Sequence, residues 1–172
     1  MCTIGESTVA YHVDMATPTD EDHTEAIRRL LAGLAEGVDA NQLLVDMADL
    51  HIRHNTFPGE VFLELAADAL RAAHVEREHD IGYRDLLSTH LNEVEFRARE
   101  QRYIHYAILT AFAVHGGLEP DLLDEVANWI ERYWQFALLA AIAIIRQCAD
   151  QAQTPIETFV SGLAALQNID IA

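Results

Sequence analysis

The segment from Trp129 to Cys148, WIERYWQFALLAAIAIIRQC, constrains this chain more than any other, because its middle is apolar on every side. It reads as helix rather than strand, and a helix hydrophobic all round must be covered by neighbouring helices or by a partner subunit. The fold class this predicts is all-α: a single-domain bundle of about five to seven helices around a central hydrophobic helix. With 172 residues, 51% of them apolar, the chain can bury a core of its own, and its length favours one domain. The central run from Phe136 to Ile145 spans about 10 residues between Arg132 and Arg146, against the roughly 20 a bilayer requires, so no membrane contact is expected.

The charge is one-sided. Twenty-eight acids face 11 basic residues, all of them arginine, for a formal net charge of −17. Without lysine, neither a Schiff base nor a P-loop lysine is possible. Residues 1–80 hold 16 acids and 5 arginines, and residues 81–172 hold 12 acids and 6 arginines. Such a surface repels phosphate backbones, which argues against direct nucleic-acid binding, and favours a basic partner or cations. Arg97, Arg99 and Arg102 form the one opposing cluster, and their alternation with Glu95 and Glu100 predicts a solvated, internally paired helix face. Cys2 and Cys148 are far apart and form no CxxC motif, which is reduced-compartment usage. The N-terminus has no basic region followed by an apolar core, so a cytoplasmic location is the default expectation.

Along the chain, residues 1–18 are poorly periodic and are expected to form a flexible arm ahead of a helical domain over 19–172. A first helix opens near Asp20, with acids in its first turn and arginines behind them, and Gly37 ends it. A second, from about Asp39 to His54, places Leu43, Leu44, Met47, Leu50 and His51 at helical spacing. The third is expected from Pro58 through His79, with Val61, Leu65, Ala69 and Ala72 as its stripe and a polar last turn beyond the packed body. Tyr83 to His115 is helical in pattern over a length that implies a break or one long spanning helix. Gly116-Gly117 begins a turn, the hydrophobic helix follows, and Thr154-Pro155 opens the last helix, ending near Gln167.

Nine histidines are the compositional invitation to chemistry. His51 and His54 are three apart and share a helix face, so both can offer imidazole nitrogen to a metal. Glu76 and His79 form an E-x-x-H pair; in di-iron bundles two such units and two further glutamates converge, and here Glu60, Glu64, Glu93, Glu95 and Glu100 are the carboxylates available beside a single unit. Tyr103, His105 and Tyr106 are candidates for a polar pocket, with packing the plainer role. Trp129, Tyr133, Trp134 and Phe136 form an aromatic band whose spacing suits core or subunit contact.

The phrase His79-Asp80-Ile81-Gly82 resembles the paired metal ligands of the HD family of metal-dependent phosphohydrolases. That resemblance implies a helical fold in which a preceding histidine, matched by His54, and a later aspartate, matched by Asp121 or Asp124, complete a metal site. A metal-bound water would attack phosphorus. The family's apolar run before the His-Asp pair is replaced here by Val75-Glu76-Arg77-Glu78.

Two functional expectations follow. The leading one is a cytoplasmic protein acting by association, as a homo-oligomeric regulatory or adaptor subunit that needs no cofactor, with Trp129, Tyr133 and Phe136 at the interface. The alternative is a metal-dependent hydrolase of a phosphate ester or nucleotide. There His54, His79 and Asp80 would bind a divalent Zn, Mn or Fe ion, and Glu76 or Glu78 would orient water or move a proton.

Overall fold

A computed structural model describes residues 20–54, 59–75, 85–116 and 134–171. The apolar segment forms the helix Trp134–Gln151, and every residue from Ala137 to Ile145 within it is at most 3% exposed. What covers it is the chain itself. Six other described helices precede or follow it: Asp20–Ala35 (α1), Ala40–His54 (α2), Gly59–Ala72 (α3), Leu86–His90 (α4), Ala98–His115 (α5) and, after the apolar helix (α6), Ile156–Leu166 (α7). α6 packs most extensively on α3, then on α5, α4, α7 and α2. All seven contribute to one hydrophobic core, including Leu30, Leu43, Phe62, Leu86, Ile104, Ile142 and Val160. The fold is all-α, and no strand occurs among the described residues.

The buried faces of α3 and α6 are rich in alanine, with Ala66, Ala67 and Ala69 on one and Ala137, Ala140, Ala141 and Ala143 on the other. Small side chains let helix axes approach closely, and the leucines and isoleucines between them fill the remaining space. Burial of each large aliphatic side chain contributes about 1.5–3 kcal/mol, so α6, with the most buried residues of the described helices, is the largest source of hydrophobic stabilisation among them. Among the described residues no helix is long and apolar enough to cross a membrane.

The helix ends follow a common device. Gly37, at φ 77°, closes α1: its N–H donates to Leu34 O, and Val38 N–H donates to Gly33 O. This paired arrangement satisfies carbonyls that the last helical turn leaves open. The same two bonds recur after α3, α6 and α7, but around His74, Gln153 and Asn168, all at positive φ without being glycine. α2 begins at Asp39, whose Oδ1 accepts Gln42 N–H at 2.8 Å, an N-cap of the expected kind.

Two expectations change, and one left open is decided. The third helix does not run on to His79: it ends at Ala72, because Val75 turns back, is buried, and donates its N–H to Leu70 O. Its buried face is centred on Phe62, Leu65, Ala66 and Ala69, while Ala72 is exposed and Val61 half-buried, so the stripe lies one residue round from the predicted one. Of the two alternatives for 83–115, a break or one long helix, the structure has the break: α4 stops at His90, residues 91–97 form a turn, and α5 starts at Ala98. The arm assigned to residues 1–18 lies outside the described residues.

Candidate functional site

The break between α4 and α5 builds the densest polar arrangement in the described structure. In an uninterrupted helix the His90 carbonyl would accept the Val94 N–H. Instead Arg146, from the middle of α6, donates Nη1 to His90 O at 2.5 Å, and Val94 N–H turns to Leu91 O. The same guanidinium nitrogen reaches Glu93 Oε1 at 2.7 Å. That carboxylate oxygen also accepts the Ala40 N–H at 3.2 Å, and Asn41 Nδ2 donates to the Glu93 backbone carbonyl at 2.8 Å. Glu93 therefore sits as an anion at the N-terminus of α2 while paired to a cation from α6, two favourable placements for one charge.

Burial alone would push the Glu93 carboxyl up. The hydrogen bond from Arg146, with those from its own backbone and Ala40, outweighs burial and holds it below its ordinary value. A carboxylate so held is a poor proton acceptor near neutral pH, which makes it a structural anchor rather than a general base.

His90 belongs to the same corner. Its Nε2 lies 2.7 Å from Gln147 Oε1 and 3.7 Å from Asp150 Oδ2, so Nε2 carries the proton and donates to the amide oxygen. Its ring is buried, and the Gln147 contact satisfies the polar edge that burial would otherwise leave without water.

On the next part of the chain, α5 presents two unlike faces. Ile104, Ala107, Ile108 and Ala111 are buried and meet α3 and α6. Arg102, Tyr106 and Leu109 are exposed, with Tyr106 at 58% and Leu109 at 37%. Their spacing of four and then three residues puts them on one side of the helix. Of the pairings expected for the arginine cluster one is present, Arg97 Nε lying 4.0 Å from Glu100 Oε1; Arg99 instead donates to Tyr103 Oη at 3.0 Å while lying over its ring. Tyr103 in turn packs on Phe136, with ring centroids 5.3 Å apart.

The residues singled out in the sequence are distributed unevenly. Phe136 is half-buried against the core and against Tyr103, so part of its ring is already used inside the chain. Trp129 and Tyr133 lie outside the described residues, as do Glu76, Glu78, His79, Asp80, Asp121, Asp124 and the side chains of His51 and His54. Among the described residues, no group of three or more His, Cys, Asp or Glu side chains is gathered as a metal would require. Glu93, one of the carboxylates offered to a di-iron centre, is held by Arg146 and Ala40. Cys148 is buried, and that burial pushes its thiol up to about 12, leaving it unreactive.

Sequence reasoning passed over Arg146 and Gln147, and took Glu93 and His90 for other roles, because their pairing spans more than fifty residues and leaves no periodic trace. The exposed α5 face did leave one: Tyr106 and Leu109 fall between the positions of the buried stripe. Compared with known proteins, the chain matches no family model, no curated protein and no solved structure, so its function must be argued from this geometry.

Proposed function

We propose that the chain acts by association with a second copy of itself, as an acidic helical subunit of regulatory or adaptor type. The observation that carries this reading is the exposed Arg102, Tyr106 and Leu109 face of α5. Arginine and tyrosine are enriched among residues that dominate interface energetics, and Tyr106 and Leu109 are neighbours on one helix, whereas the other large exposed apolar side chains among the described residues, Val45 and Leu166, lie on two different helices. The hydrophobic helix α6 does not supply this surface, since its own chain covers it.

Charge favours a second copy on this face. α5 holds Arg99 and Arg102 against Glu100, which makes it the one net positive helix among those described, in a chain of −17. Two copies meeting through α1, α2, α3 or α7 would bring net acidic helices together. Two α5 helices crossing antiparallel about a two-fold axis between Tyr106 and Leu109 instead bring the Arg99 and Arg102 end of each against the C-terminal carbonyls of the other. That pairing is self-complementary and favourable for both helix dipoles.

The face is small beside the roughly 800 Å² per partner of a standard interface, so a dissociation constant of about 1–100 µM is expected. Sedimentation equilibrium over a wide concentration range tests the reading. A reversible monomer–dimer equilibrium that tightens with added salt, as screening relieves the repulsion between two strongly acidic chains, supports it. A strict monomer up to about 1 mM would overturn it. The alternative hydrolase site falls on residues outside the described part, and no observation favours it.

A further inference from the structure

Arg99, Arg102, Tyr106, Leu109, Ala113 and Gly116 follow one another along α5 at alternating steps of three and four residues, the spacing of a two-helix seam. The row lies on the side of the helix away from its buried stripe of Ile104, Ala107, Ile108 and Ala111. All six are exposed except Ala113, which is half-buried. Side-chain size is graded along it: the long residues stand in the first half, and alanine and glycine take the last two places.

That grading makes the row complementary to its own reverse. In a parallel pair each residue meets its own kind, which stacks arginine on arginine and leaves Ala113 and Gly116 facing their copies across a gap. In an antiparallel pair with its two-fold axis between Tyr106 and Leu109, Arg102 meets Ala113, Tyr106 meets Leu109, and Arg99 meets Gly116, so each large side chain faces a smaller one. Arg99 is held within its own chain by the 3.0 Å bond to Tyr103 Oη, so Arg102 is the cation that reaches across. The single methyl group of Ala113 leaves room for the guanidinium beside the last turn of the partner's helix, where the dipole is negative.

Resting on the self-association argued above, we propose that the two α5 helices pair antiparallel in this one register, with Arg102 of each chain seated on Ala113 of the other as the contact that selects orientation. In this register two copies of residue 102 lie roughly 16 Å apart along the pair, beyond the roughly 7 Å between Cα atoms that a disulfide spans. Residue 102 of one chain and residue 113 of the other lie in the same layer.

Cysteine crosslinking in the full chain tests it, with Arg102→Cys and Ala113→Cys each made alongside Cys2→Ser and shown to be folded by circular dichroism; Cys148 is buried and does not compete. Mixed in equal amounts at about 1 mM under mild oxidation, the two variants are expected to form a covalent dimer at least about tenfold faster than either alone. Charge gives a second readout by sedimentation. Ala113→Arg, which opposes two arginines at each end of the pair, weakens the dimer about tenfold, and adding Arg102→Glu to the same chain restores it to within about threefold. Either cysteine variant crosslinking alone at the mixed rate, no crosslink in the mixture while the parent is dimeric, or a loss that Arg102→Glu does not rescue would overturn the register and leave self-association standing. A parent that stays monomeric overturns both.

Discussion

Arg146 and Glu93, 53 residues apart, meet at 2.7 Å and through that contact fasten α6, the α4–α5 turn and the start of α2 to one point. Both side chains are about three-quarters covered, at 22% and 25% exposure, so the pair is shielded from solvent without the full desolvation cost of a deeply buried one. Arg146→Met removes this bond and the one to His90 O together, and is expected to cost about 2–4 kcal/mol in urea unfolding. Glu93→Gln keeps an acceptor for Ala40 N–H and should cost about 1 kcal/mol. The double variant should be less destabilised than the sum by about 1–2 kcal/mol, the coupling of the pair. Strict additivity would show that the two act separately.

The same carboxylate sets a pH dependence. Its pKa in the folded chain lies below its unfolded value, so the folded state favours the deprotonated form and the unfolded state binds the proton more readily. The stabilisation is therefore complete above the unfolded glutamate value, roughly pH 4.3, and is lost as pH falls through the lower folded value. Unfolding free energies measured from neutrality down to acid should decline less steeply in Glu93→Gln than in the parent. Identical slopes would contradict the assignment.

Helix termini give a prediction with opposite signs at equivalent positions. Gln153 adopts φ 52° where Gly37 adopts φ 77°, each closing its helix with the same pair of backbone bonds. A left-handed conformation costs a residue with a Cβ about 1–2 kcal/mol that glycine escapes. Gln153→Gly should therefore stabilise by about 0.5–1 kcal/mol, and Gly37→Ala should destabilise by about 1 kcal/mol, in thermal or urea unfolding.

Space rather than conformation decides at Gly33, inside α1. A Cβ built there lies 2.5 Å from Leu43 Cδ2 of α2. Alanine would gain about 1 kcal/mol of helix propensity at an exposed site, but here Leu43, itself 1% exposed, has little room to withdraw. Gly33→Ala is expected to destabilise by about 1–2 kcal/mol, and Leu43→Ala in the same chain should relieve the clash and make the two changes non-additive. Simple additivity would mean that the helices separate freely at this point.

These relationships mark where the sequence was readable. The all-round apolar character of Ala137 to Ile145 announced a central helix, and the acids at 20–22, Gly37 and Asp39 announced the ends of α1 and the start of α2. Such signals are local, carried by period and by the chemistry of caps. The ending of α3 was not readable, because His74 takes a left-handed conformation that glycine usually marks, and it is the burial of Val75 that holds it there. The length of 83–115 left a break open, but its place at 91–97 was not readable, because NEVEF has helical composition and it is Arg146, arriving from α6, that takes the His90 carbonyl. Long-range polar pairs leave no period to detect.

The central claim is that α5, and not the other exposed apolar positions, joins two copies. Val45 at 61% and Leu166 at 67% exposure are as open as Tyr106 but lie on α2 and α7, and so serve as controls. The most direct measurement is sedimentation equilibrium on three chains side by side: the parent, Tyr106→Asp with Leu109→Asp, and Val45→Asp with Leu166→Asp, each first shown to be folded by circular dichroism. The account predicts that the parent and the α2/α7 variant dimerise with similar constants while the α5 variant stays monomeric. A monomeric parent, or an α5 variant that dimerises as the parent does, would contradict it.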